Sequence, residues 1–115
     1  MPSPASANTV TLIGRLAGAR ETTLPSGDVL VSFRVVVDRP VRERGPSGRV
    51  RVDALECSAY RSDVRRRALA LPEGTVVEVT GRLRRRFWRA GSAPASRIEV
   101  EAATLTRVAG EPVAR

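Results

Sequence analysis

The sequence predicts a small all-β domain that contains one short helix. Apolar and polar residues alternate along several separate segments, as in strands that bury one face and expose the other. Stretches containing glycine and proline separate these segments, and a single segment has apolar residues at helical spacing. A chain of 115 residues is long enough for one domain with one core.

Five segments are predicted to be strands because their apolar residues recur at every second position. In chain order they cover residues 9–16, 29–37, 51–60, 74–88 and 97–108. The second segment is rich in β-branched residues and is expected to be buried on much of both faces, with Phe33 in the core. Cys57 alternates onto the core side of the third segment, where we expect a small buried residue.

Turns, one long loop and one helix connect the predicted strands. Turns are expected at residues 21–28 and 89–96, and a long hairpin loop at residues 39–49, because glycine and proline interrupt each stretch. Residues 62–71 form the helical segment, with Ser62 as a candidate N-cap and a proline directly after its end. Five strands with one helix between the third and the fourth match the element order of an OB-fold, a five-stranded Greek-key barrel.

The expected domain organisation follows from these segments. Residues 1–7 are small, include proline and show no periodicity, so we expect them to be disordered. Residues 8–108 contain all the predicted strands and form the OB-fold domain. Residues 109–115 are a C-terminal tail without a recognisable pattern.

The charge balance favours a polyanionic partner and gives little support to an enzyme. The chain has 20 basic residues, all arginine, against 12 acidic ones, for a net charge of +8. Histidine is absent and Cys57 is the only cysteine, so the sequence offers no histidine-based catalytic group and no cysteine pair for zinc or a disulfide. We therefore expect no catalytic residues, no metal site and no cofactor.

The sequence shows no sign of export or of a membrane segment. The N-terminus lacks the basic and apolar regions of a signal peptide, and no stretch approaches the roughly 18 apolar residues of a membrane span. The expected location is the cytoplasm, in association with the nucleoid.

The most informative segment is residues 81–88, which place the only tryptophan at the end of an arginine-rich predicted strand. Period-two alternation puts Arg82, Arg84 and Arg86 on the same face as Trp88. Phe87 falls on the opposite side, with the core valines, and is expected to be buried. Guanidinium groups bind phosphates and an exposed indole can stack on a base, so this combination indicates a surface for single-stranded nucleic acid.

Several motifs resemble one protein family in order and spacing. They are NTVTLIGRL at residues 8–16, LPSG at 24–27, Ser32-Phe33, and GTVVEVTGRL at 74–83. These motifs are similar to those of the bacterial single-stranded DNA-binding protein family over residues 8–108. The resemblance implies an OB-fold that binds single-stranded DNA without sequence preference in replication, recombination, repair or DNA uptake. It also implies a homo-oligomer, with a tetramer favoured and a dimer as the alternative.

The resemblance assigns roles to particular residues. Trp88 and Tyr60 fall on family positions that stack on bases, at the ends of the fourth and third strands. Arg82, Arg84 and Arg86 lie on the strand that lines the phosphate path in the family. The remaining predicted phosphate contacts are Arg15, Arg34, Arg42, Arg44, Arg49 and Arg51.

The chain also departs from the family pattern in ways that predict weaker binding. Ala54 and Val41 stand where many or some members carry an aromatic residue, and Glu56 adds an acidic group to the expected DNA face. Because stacking contributes about 1–3 kcal/mol per base, two missing aromatic residues would lower affinity by orders of magnitude unless arginines compensate. Residues 111–115 do not resemble the acidic tip with which many members recruit repair enzymes. We expect either a short paralogue that lacks this recruitment or a trimmed domain.

Two other binding functions remain open at this point. The missing aromatic residues are compatible with an adaptor similar to the OB-type primosomal replication proteins, in which DNA contact is secondary. Stacking and phosphate contacts do not inspect the sugar, so single-stranded RNA is a further alternative ligand.

Overall fold

The computed structural model describes residues 5–108. The prediction of a disordered N-terminus falls largely on residues 1–4, which lie outside the described range. The predicted C-terminal tail and the missing acidic tip, at residues 109–115, lie outside it as well.

Five strands form a closed barrel, and one helix follows the third strand. The strands are β1 (Val10–Thr23), β2 (Val29–Asp38), β3 (Val52–Ala59), β4 (Val76–Ala90) and β5 (Ala93–Arg107), with the helix α1 at Ser62–Ala70. The strand order around the barrel is β1-β2-β3-β5-β4, and only the short β3–β5 contact is parallel. This order, with the helix between β3 and β4, confirms the predicted OB-fold.

The core consists mainly of the residues that alternation places inside. Val31, Phe33 and Val35 of β2 are fully buried, and α1 covers part of the barrel with Val64 and Ala68. Cys57 is also buried, as expected, and burial in this apolar setting, together with two nearby carboxylates, raises the pKa of its thiol to about 12. The thiol is therefore protonated at neutral pH.

The two Gly-Arg-Leu motifs of the sequence have a packing explanation. Gly14 of β1 and Gly81 of β4 each lie against the backbone of the neighbouring strand. A Cβ atom on Gly14 would collide with the carbonyl oxygen of Val36, and one on Gly81 would collide with the carbonyl oxygen of Glu101. Both positions require glycine because the strands approach closely there.

β1 is longer than predicted. It continues to Thr23, whereas the sequence pattern predicted an end at residue 16, and its pairing with β2 is irregular between Ala17 and Arg20. Gly18 has a φ of 65° at this irregularity, which interrupts the alternation on which the prediction depended. The turn that follows is correspondingly shorter than predicted.

The hairpin between β4 and β5 is also longer than predicted. Instead of a turn over residues 89–96, pairing continues to Ala90 and Ala93, and only Gly91 and Ser92 form the turn. Gly91 has a φ of 66°, a conformation that favours glycine. Pro94 lies within β5 opposite Arg89, at the end of a ribbon where a proline is tolerated.

The prediction that Phe87 is buried was wrong, and the cause is the length of this hairpin. β1 pairs with β4 only as far as Gly81, and beyond that point the described residues pair β4 with β5 alone. The core side of β4 therefore emerges from the barrel. Val79 is fully buried, but Leu83 is 46% exposed and Phe87 is 74% exposed. We call residues 82–101 the projecting hairpin.

Candidate nucleic-acid interface

One side of the projecting hairpin carries the arginines that the sequence singled out. We call it the arginine–glutamate face. It consists of Arg82, Arg84, Arg86 and Trp88 of β4, and of Arg97, Glu99 and Glu101 of β5. Cross-strand register creates it, because Arg82 lies opposite Glu101 and Arg84 lies opposite Glu99.

Glu101 binds three of these arginines. Its carboxylate accepts hydrogen bonds from Arg84 Nε and Arg86 Nη2, both at 3.1 Å, and lies 3.7 Å from Arg82 Nη1. Partial burial alone would raise the pKa of this carboxyl, but the hydrogen bonds from Arg84 and Arg86 lower it below its ordinary value. Glu101 therefore remains ionised and partly neutralises the arginines around it.

Glu99 is the buried anchor of the same face. Its side chain is only 6% exposed. One carboxylate oxygen accepts hydrogen bonds from the Ser58 hydroxyl at 2.6 Å and from Arg86 Nε at 2.9 Å, and the other lies 3.5 Å from Arg97. A buried carboxylate needs such partners to offset the loss of water. The result is a fixed position for Arg86.

The two predicted stacking residues lie close to this fixed arginine. The guanidinium carbon of Arg86 is 5.4 Å from the centre of the Tyr60 ring, a cation–π contact. Trp88 follows two residues later on the same face and is 47% exposed. Arg86 therefore lies over one face of the Tyr60 ring.

The loop between β2 and β3, residues 39–51, presents its arginines differently. Its base is closed by Arg39, which donates two hydrogen bonds to Asp53, at 3.0 and 2.7 Å. Hydrogen bonding from Arg39 lowers the pKa of the Asp53 carboxyl. Among residues 5–108, no carboxylate pairs with the four predicted phosphate contacts of this loop, Arg42, Arg44, Arg49 and Arg51.

The two remaining predicted phosphate contacts occupy separate places on the barrel. Arg15 is held by Asp38, at 3.2 Å, in an exposed ion pair at the end of β2. Arg34 lies opposite Glu56 in the β2–β3 pairing and has no ion pair within the described range. Its guanidinium lies beside Gly18 in an open pocket of about 430 Å³.

This pocket is lined by one arginine, Arg20, that was not among the predicted phosphate contacts. It is lined by Gly18, Ala19, Arg20, Ser32, Phe33, Arg34 and Glu56. Arg20 joins Arg34 there because the irregular pairing after Ala17 brings Arg20 opposite Ser32. No sequence signal marked that irregularity apart from the glycine at position 18.

The two glutamates of the arginine–glutamate face were also absent from the predicted site, although the sequence contains a signal for them. Glu99 and Glu101 alternate on one side of the fifth strand, and the Gly91-Ser92 dipeptide suits a two-residue hairpin turn. A register counted from that turn would have placed both carboxylates beside the β4 arginines.

Comparisons with known proteins identify the family. Residues 7–108 match the pattern of the Single-strand binding protein family. The chain belongs to this family. The match covers nearly the whole described range and confirms the prediction, made from the residues and motifs, of a single-stranded DNA-binding protein.

The fold of this family member has a counterpart among solved structures. The structure titled "Plasmodium falciparum SSB complex with ssDNA" matches with a TM-score of 0.72 and 22% sequence identity, over 94% of this chain and 99% of that chain. At this identity the likeness supports the fold. No curated protein matches the sequence.

Residues 5–108 contain neither a membrane-spanning helix nor a cluster of metal-binding side chains. No helix in this range is long and apolar enough to cross a membrane. In the same range, no three side chains among histidine, cysteine, aspartate and glutamate are grouped so that they could hold a metal ion.

Proposed function

We propose that this protein binds single-stranded DNA without sequence preference through the β2–β3 loop and the arginine–glutamate face, with Tyr60 and Trp88 stacking on bases. The observation that carries this proposal is the exposed indole of Trp88 on the same strand face as three arginines. Exposed aromatic rings beside cations match the requirements of a ligand with flat bases and a phosphate backbone.

The two regions contribute in different ways. The loop arginines Arg42, Arg49 and Arg51 are exposed, and the ion pairs of the described residues leave them available to phosphates. On the arginine–glutamate face, a phosphate has to compete with Glu99 and Glu101 for the same guanidinium groups. We therefore assign most of the salt-dependent attraction to the loop, and most of the base stacking to Tyr60 and Trp88.

The test is a titration with oligo-dT at low and at moderate salt. Trp88 is the only tryptophan, so quenching of its emission reports stacking at this position. Trp88→Ala should weaken binding about 5- to 150-fold, measured by the anisotropy of a labelled oligonucleotide, because one stacked base contributes about 1–3 kcal/mol. Affinity should also fall steeply with salt as counterions are released.

Leu69→Ala supplies a matched control. Leu69 lies on α1 and is 47% exposed, the same fraction as Trp88, so its loss removes a comparable exposed apolar side chain. The control should bind like the wild type. Unchanged Trp88 emission together with unchanged affinity of Trp88→Ala would contradict the proposed site and favour the adaptor function.

We also propose the finer features that the family resemblance implies. They are a homotetramer, with a dimer as the alternative, a cytoplasmic and nucleoid-associated location, and service in DNA replication, recombination, repair or uptake. Sedimentation equilibrium of the protein alone tests the first of these, since a mass corresponding to one chain would contradict a homo-oligomer.

A further inference from the structure

The side of the projecting hairpin opposite the arginine–glutamate face has an unusual composition. We call it the Phe87 face. It consists of Leu83, Arg85, Phe87 and Arg89 of β4, which lie opposite Val100, Ile98, Ser96 and Pro94 of β5. It continues the core side of β4 beyond the point where β1 stops pairing. Val100 at its inner end is still buried in the core, whereas the other residues of the face are exposed.

Phe87 is the most exposed aromatic residue of this face and of the hairpin. It is 74% exposed, against 47% for Trp88, and the neighbouring Leu83 and Ile98 are each about half exposed. A phenylalanine ring in water lacks the stabilisation that burial would bring. Three exposed apolar side chains on one face of a hairpin, Leu83, Phe87 and Ile98, are more typical of a binding surface than a single exposed apolar residue is.

The charges around Phe87 indicate what kind of ligand suits this face. Arg85 and Arg89 flank it on the same strand face, and neither has an ion pair among residues 5–108. Within the described residues, the Arg85 side chain donates to the Ser96 hydroxyl, at 3.2 Å, and the Arg89 side chain to the carbonyl of Ser92, at 3.4 Å. Neither contact neutralises a guanidinium charge.

The opposing residues of β5 add no negative charge. The arginine–glutamate face has Glu99 and Glu101 on β5, whereas the Phe87 face has Ile98, Ser96 and Pro94 there. Arg85 and Arg89 lie about 13 Å apart along the strand, with the ring of Phe87 midway between them. This arrangement complements a polyanion that also carries flat apolar groups. A second copy of this chain, which is itself strongly basic, complements them less well.

The geometry points to the Phe87 face as a second surface for single-stranded DNA, on which Phe87 stacks on a base while Arg85 and Arg89 bind phosphates. The inference rests on the proposed function and extends it, since the hairpin then contacts DNA on both sides. Such an arrangement lengthens the stretch of DNA that one chain contacts.

The decisive experiment moves the single indole from one face to the other. The double variant Trp88→Phe/Phe87→Trp keeps an aromatic ring at both positions and reports only on position 87. Addition of oligo-dT should quench its emission, whereas unchanged emission would overturn the inference. Emission that depends on protein concentration before any DNA is added would also overturn it, because a second copy would then cover this face.

The wild-type titration separates this inference from the proposed function. If DNA quenches Trp88 in the wild type but does not quench the relocated indole, the Phe87 face is not a DNA-binding surface. The proposed site on the arginine–glutamate face is then still supported. Quenching of the relocated indole alone supports the second surface and contradicts the role of Trp88. If neither indole responds, both proposals fail.

Charge removal provides an independent measurement. Arg85→Ala/Arg89→Ala should reduce the slope of log affinity against log salt by about 1.4, since each phosphate contact on a single strand contributes about 0.7. Arg66→Ala/Arg107→Ala is the matched control, because both of those arginines are exposed, lack an ion pair in the described range and lie outside the hairpin. Equal slopes for the two double variants would contradict phosphate binding on the Phe87 face.

Discussion

The arginines of the β2–β3 loop and those of the arginine–glutamate face differ in what they contact. In the loop, Arg42, Arg49 and Arg51 have no carboxylate partner within residues 5–108. On the hairpin, Arg84 and Arg86 hydrogen bond to Glu101 and Glu99 at about 3 Å. The sequence marks both groups equally as phosphate contacts, but the structure makes one group available and restrains the other.

This difference separates two tasks in binding a single strand. An unpaired, exposed arginine binds phosphate without giving up a protein contact, so it contributes fully to attraction and to counterion release. An arginine fixed by a buried carboxylate contributes less net charge but has a defined position. Arg86, held by Glu99 over Tyr60, is therefore better suited to arranging the proposed stacking site than to attracting DNA.

The largest effect is expected when two loop arginines are compared with two hairpin arginines. Arg49→Ala/Arg51→Ala should lower affinity at low salt by one to two orders of magnitude and reduce the salt slope by about 1.4. Arg82→Ala/Arg84→Ala removes the same charge but should change the slope by less than half as much, because Glu101 already neutralises part of it. Anisotropy titrations at several salt concentrations measure both slopes, and equal slopes would remove the distinction.

A smaller effect of opposite sign is expected when the restraint is removed. Glu101→Gln should strengthen DNA binding several-fold and steepen its salt dependence, because Arg82 and Arg84 lose their carboxylate partner. Glu21→Gln is the control, since it breaks the Arg65–Glu21 pair between α1 and β1, outside the hairpin, and changes the net charge equally. If both variants gained the same affinity, net charge alone would account for the result.

The same carboxylate should produce a pH dependence of stability. The folded-state pKa of Glu101 lies below its ordinary value of 4.5, so its ion pairs contribute fully above that pH and lose their contribution as the pH falls through the lower, folded value. Chemical denaturation should show wild type more stable than Glu101→Gln by up to about 1 kcal/mol between about pH 5 and 8. This difference in stability should vanish in acid. A difference that stays constant at all pH values would show that ionisation of Glu101 is not its cause.

The smallest effect is expected at Arg15. Its ion pair with Asp38 is exposed on both sides and contributes little, so Arg15 is already nearly as available as an unpaired arginine. Asp38→Asn should therefore raise DNA affinity less than Glu101→Gln does, by about twofold or less. If Asp38→Asn raised the affinity more than Glu101→Gln does in the same anisotropy assay, Arg15 would be more strongly restrained than the arginines around Glu101, which would contradict this prediction.

Local patterns in the sequence were sufficient for the barrel, the family and the identity of most core residues. Val31, Phe33 and Val35 follow strict alternation and are buried as expected. The prediction that β2 is buried on much of both faces was wrong, because its other face carries Arg34 and is at best partly covered. The helix was placed correctly, although Arg61 rather than Ser62 occupies the N-cap position and provides no side-chain cap. The alternation of Arg82, Arg84 and Arg86 with Trp88 on one face also follows from the sequence alone.

Tertiary structure decided which of these residues are covered and which charges are available. Alternation assigned Phe87 to the core side of β4. Because β1 begins at Val10, opposite Gly81, it does not cover that side of β4 at Phe87. Alternation likewise identified the arginines, but the cross-strand register with Glu99 and Glu101 determines how much of their charge is free. The physical reason is common to both cases: a strand pattern specifies a direction for each side chain, whereas burial and neutralisation depend on what another part of the chain places there.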